Sequence, residues 1–139
     1  MNHQEKSIWS EVAANLAVLI GYSYWLVTQL MEFAPEAIDY RWVLFSVFLF
    51  HVLFSIVAQS LLAIADHRNA NLVDVRDVDI RRKANSAAFH VMSVTSLIAL
   101  GLGLFEVGFF EIVHVLFFGG LLASLSVNGL KLWFYRVGL

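Results

Sequence analysis

"RWVLFSVFLFHVLFSIVAQSLLAI", residues 41–64, contains a single charged side chain, Arg41, at its very start. A surface helix of a soluble protein keeps a polar face at the 3.6-residue period, and this stretch is apolar nearly all round. It is also longer than the ~20 residues that carry a helix across the ~30 Å hydrocarbon core of a bilayer. Three further apolar stretches lie at roughly 12–31, 86–105 and 108–134. Together the four predict an all-α fold: a four-helix transmembrane bundle, up-down-up-down, in one integral membrane domain covering 1–139.

Composition points the same way. The chain is 60% hydrophobic with twelve Phe, four Trp and one Pro, its mean hydropathy is +0.74, and only 14% of residues are charged. Soluble domains carry about 25% charged residues. A formal net charge of −2 is too close to zero to suggest nucleic acid, and with no cysteine there are no disulfides, thiol redox steps or thiolate metal ligands. The first apolar run lacks a short hydrophobic core followed by a small-residue cleavage site, so it is expected to stay as the first spanning helix.

Lys and Arg in short loops stay cytoplasmic. Lys6, then Arg68, Arg76, Arg81, Arg82 and Lys83, then Lys131 and Arg136 fall on one side; Arg41 alone falls on the other, among Glu32, Glu36, Asp39, Glu106 and Glu111. This asymmetry places both termini and the 66–85 loop inside the cell. Trp9, Trp133 and Tyr135 would mark the inner interface, Tyr40 and Trp42 the outer one.

Within that loop, "DVRDVDIRRKANSAAF" (74–89) concentrates charge: Asp74, Arg76, Asp77, Asp79, Arg81, Arg82 and Lys83. Asp77 precedes Arg81, and Asp79 precedes Lys83, by four residues, the favourable order for ion pairs on a helix surface, each contributing about 0.2–0.5 kcal/mol. The segment reads as a cytoplasmic N-terminal extension of the third helix. It is either a solvated helix end near lipid headgroups or a docking surface, formed by Asp74, Arg76, Asp77, Arg81, Arg82 and Lys83, for a cytosolic or membrane protein partner.

The same run resembles the D-E-R-D-x-x-I-x-x-K-A loop of an uncharacterised family of small four-helix bacterial membrane proteins, usually encoded beside helix-turn-helix regulators. Asp74, Arg76, Asp77, Ile80, Lys83 and Ala84 match it, and Val75 departs from it. The ending "KLWFYRVGL" resembles that family's terminal Tyr-Arg-Arg-Gly through Tyr135, Arg136 and Gly138, with Val137 departing. The resemblance covers the second half best. It implies four helices in a bacterial inner (cytoplasmic) membrane and carries no established activity.

Ionisable groups at bilayer depth cost roughly 2.5–3.5 kcal/mol on insertion scales and so face protein or water. His51, Ser55 and Gln59 recur every four residues on the second helix; Glu11, Asn15, Tyr22 and Gln29 lie roughly along the first; His90 and Ser93 sit on the third. The fourth carries Glu111 and His114, then Gly120, Ser124 and Asn128. "EIVH" (111–114) has the Glu-x-x-His spacing of di-iron bundles, but those need two such motifs. His51, His114 and Glu111 are the candidate ligands for haem or a divalent metal. At 1.5 Å per residue His51 lies about 15 Å below Arg41, whereas a span of acceptable length sets Glu111 at the boundary and His114 shallow. The alternative is neutral histidines bonded to polar groups on adjacent helices. No cofactor is expected on balance.

"GGLLASLSVNG" (119–129) offers Gly119/Ala123 and Gly120/Ser124, small pairs that let helices approach closely. They either seat the fourth helix inside the monomer or form the seam of a homo-oligomer. Four helices enclose little volume, so a large ligand site is expected between subunits. With no nucleophile–base pair, phosphate loop or complete metal motif, the leading expectation is a non-enzymatic inner-membrane protein that forms a homo-oligomer, a regulatory, sensor or accessory subunit acting through loop 66–85. The alternatives are a haem- or metal-binding electron carrier or ion pathway, and a small proton-coupled transporter dependent on Glu11.

Overall fold

The computed structural model describes residues 3–65 and 75–137. They form four helices, α1 (His3–Glu32), α2 (Arg41–Ala65), α3 (Val75–Leu104) and α4 (Phe109–Val137), with a 3-10 turn at Pro35–Ala37. The chain is all-helical, and α2, α3 and α4 are each long and apolar enough to cross a membrane. α1 is not among these three: Asn15, Tyr22, Ser23, Tyr24, Thr28 and Gln29 interrupt its apolar run. α1 and α3 reach upstream of the apolar stretches at 12–31 and 86–105, to His3 and Val75.

Local chemistry explains both described breaks. Pro35 disfavours helical backbone in the residue before it, and Ala34 is extended at φ −67°, ψ 149°. Ile38, 5% exposed, then anchors the connection before α2 begins. α3 ends differently. Glu106 adopts φ 55°, its N–H bonds Gly103 O at 3.1 Å, and Val107 N–H bonds Leu102 O at 3.0 Å. These paired bonds close a left-handed helix cap, a position usually held by glycine.

The helices pack in the order α2–α1–α4–α3. α1 is therefore interior, and it buries one stripe: Ile8, Ala14, Asn15, Val18, Tyr22 and Leu26. Asn15, Val18, Tyr22 and Leu26 follow at spacings of three and four, Ile8 lies seven residues before Asn15, and Ala14 four before Val18, so all share one face. α2 lies at the edge, packed chiefly on α1, with none of its described residues fully buried. Trp42, Leu53, Ile56 and Ile64 on its outer side are all more than half exposed. At the other edge α3 turns Ile80, Ala84, Thr95 and Ala99 inward. A Cβ built on Gly119 of α4 would lie 2.8 Å from Thr95 Cβ and collide with that side chain's Cγ2 and Oγ1. That closeness is possible only because α4 has glycine there.

Candidate functional site

α1 meets its neighbours through polar contacts at three levels along its length. Near its start, Ser7 Oγ donates to Gln59 Oε1 (2.7 Å) and Gln59 Nε2 donates to Glu11 Oε1 (3.3 Å), both across to α2. At mid-helix, Asn15 Nδ2 donates to Ser124 Oγ of α4 at 2.8 Å. Further along, Tyr22 Oη and His114 Nε2 of α4 lie 2.7 Å apart. The start of α1 thus meets the end of α2, and residues 15 and 22 meet 124 and 114, so α1 runs antiparallel to both neighbours.

His114 is engaged at both nitrogens. Its Nδ1 lies 2.6 Å from Phe110 O, an acceptor only, so Nδ1 carries the proton. With Nδ1 as the donor tautomer, Nε2 accepts from the Tyr22 hydroxyl. Tyr22 is 2% exposed and His114 7%, and aromatic rings enclose the pair: Phe110 at 4.1 Å and Tyr40 at 5.1 Å from His114, Phe117 at 4.9 Å from Tyr22. A metal bond to His114 would need the lone pair that Tyr22 already holds.

Glu111 stands in the first turn of α4, where a carboxylate favours the positive end of the helix dipole. It folds back over Gly108, with Oε2 2.8 Å from where a Cβ on that glycine would sit. His51 belongs to a different place, the face between α2 and α4. Among the described residues no three His, Asp or Glu side chains come together as a metal group. His51, His114 and Glu111 are therefore not brought to one point. His90 ties Nδ1 to Ser86 O of its own helix at 2.6 Å.

Of the charged segment, Asp74 and the rest of 66–74 lie outside the described residues. Arg76, Asp79, Arg81, Arg82 and Lys83 are exposed along α3, while Ile80 (2%) and Ala84 (0%) are buried; Arg76 precedes them on the same four-residue stripe, and Arg82 stands opposite. Asp77 turns across to α4, where Tyr135 Oη donates to its Oδ1 at 2.7 Å. Burial, and then that carboxylate, hold the Tyr135 phenol above its ordinary value of 10.0. Gln4, Ser7, Glu11, Arg81 and Lys131 line the same end. Sequence reasoning missed Ser7 and Tyr40 as partners; a hydroxyl and a phenol near helix ends carry no periodic signal.

The small residues of α4 divide between two faces. Gly119 and Ala123 are buried, with Gly119 against Thr95 of α3. Gly120 and Ser124, with Asn15, Val18, Phe48, His51 and Phe117, line a groove of about 290 Å³ between α1, α2 and α4 of one chain. No family model, curated protein or solved structure matches the chain, so the family resemblance rests on the quoted motifs alone.

Proposed function

We propose that this is a multi-pass protein of a bacterial inner membrane. Its four helices cross up-down-up-down, with both termini and segment 66–85 in the cytoplasm. It acts without catalysis, as a regulatory or accessory subunit, through the charged start of α3. The observation that carries the docking role is the division of that helix: Ile80 and Ala84 fix one face, and Asp79, Arg82 and Lys83 stand exposed outside it. A helix held this way presents charge at a fixed spacing, so a partner loses little freedom in recognising it. The membrane role is supported by α2, whose apolar side chains point outward with no soluble-style polar face. Exposed apolar patches larger than a few hundred Å² mark contact with lipid or another protein.

Two experiments test this. The chain has no cysteine, so single introduced cysteines report alone. In intact cells a membrane-impermeant maleimide labels Glu36→Cys and leaves Leu72→Cys untouched until the membrane is permeabilised; equal labelling of both overturns the orientation. Replacing Arg81, Arg82 and Lys83 by Gln keeps the Ile80–Ala84 packing and removes the charge. Partner recovery after in-cell crosslinking falls; unchanged recovery overturns the docking role.

A further inference from the structure

We propose that the groove between α1, α2 and α4 binds a membrane-soluble molecule with a hydroxylated aromatic head, of the phenol or hydroquinone class. The inference rests on the reading that these helices cross a bilayer.

Two polar atoms mark the site. Asn15 is 1% exposed, and its Nδ2 is used by Ser124, yet its Oδ1 is buried without a hydrogen-bond partner among the described residues. His51 lines the same groove, and its Nδ1 is likewise buried and without a partner. The other two intramembrane histidines behave differently: His90 and His114 each bring Nδ1 to the carbonyl four residues back, both at 2.6 Å. His51 does not make that bond. A buried polar atom without a bond is costly, and native structures hold few of them. An amide oxygen accepts, and an imidazole nitrogen either accepts or donates. A hydroxyl, which both donates and accepts, complements either.

The walls set the rest of the ligand. Apart from Asn15, His51 and Ser124 the groove is apolar, and it includes the rings of Phe48 and Phe117, which favour an aromatic head. Its volume, about 290 Å³, is near the ~300 Å³ lower end of ligand pockets, enough for one substituted ring and too small for a whole lipid. α1 forms the floor, and α2 and α4 pack on α1 from either side. A tail therefore leaves laterally between α2 and α4 into hydrocarbon. His51, ten residues into α2 from Arg41, lies about 15 Å along the helix, so the ligand arrives through the bilayer rather than from water.

The test uses the full chain in lipid nanodiscs and tritium-labelled decylhydroquinone, read by scintillation proximity. Wild type binds it saturably. His51→Phe, which keeps the ring and removes the nitrogens, weakens binding about tenfold, as expected for one lost hydrogen bond. The dimethyl ether of the same compound competes about tenfold less well for the same reason. Gly120→Leu extends a side chain into the groove and abolishes binding; a Cβ there has no described neighbour within 4 Å. The proposal is overturned by an inserted wild type that binds nothing saturably, by equal competition from the ether, or by unchanged affinity in either variant. Carbonate extraction separates the two readings: a chain stripped from membranes sinks both, and a chain that resists extraction yet fails to bind sinks this one alone.

Discussion

Tyr22 of α1 and His114 of α4 are joined by a 2.7 Å hydrogen bond whose direction is set one step away, at Phe110 O, which takes the imidazole proton on Nδ1. The phenol therefore donates, and neither residue can be changed without leaving the other's polar atom buried. Tyr22→Phe is expected to lower stability by about 1–3 kcal/mol, the cost of a buried acceptor left without its donor. The double variant Tyr22→Phe/His114→Phe costs less than the sum of the singles. Unfolding titrations in mixed micelles measure both; strict additivity would contradict the bond.

Gly119 and Gly120 are neighbours in sequence and opposites in tolerance. Gly119→Ala drives a methyl into Thr95 and should destabilise by about 1–3 kcal/mol, as overpacking does. Thr95→Ala, which removes the two nearest atoms, restores part of the loss. Gly120→Ala meets no described atom and is expected to be neutral or slightly stabilising. The same titrations rank the three.

Glu106 holds a left-handed backbone at φ 55°, where a side chain costs roughly 1–2 kcal/mol that glycine avoids. Glu106→Gly should therefore raise the unfolding midpoint. A lowered midpoint would show that the carboxylate has another structural role.

The Tyr135–Asp77 contact responds to pH with a definite sign. Burial and the carboxylate raise the phenol's folded value above the ordinary 10.0, so the folded state favours the protonated form. Its stabilising effect is complete below pH 10.0 and falls as pH rises beyond it. Tyr135→Phe should flatten the stability profile in that alkaline range and leave the neutral range parallel to wild type.

Some of the site was visible in periodicity. Glu11, Asn15 and Tyr22 fall on one face of α1 by spacing, and each makes a polar contact across to a neighbouring helix. His51, Ser55 and Gln59 share the half-buried side of α2 in the same way. Their partners were not visible. Ser124 and His114 on α4, and Gln59 on α2, meet α1 because α1 sits between those two helices. The grouping of His51, His114 and Glu111 did not survive as one cluster, since depth along a helix says nothing about which side faces which neighbour.

Sequence alone determined that the chain is helical, where its apolar runs lie and where charge accumulates, because side-chain transfer energies and the helical repeat act locally. The order α2–α1–α4–α3, the seat of Gly119 on Thr95 and the orphaned atoms of Asn15 and His51 were decided only in three dimensions. An apolar helix gains no hydrophobic advantage by choosing one apolar neighbour over another or over lipid. Close fit and polar pairing make that choice, and both exist only once the helices are packed.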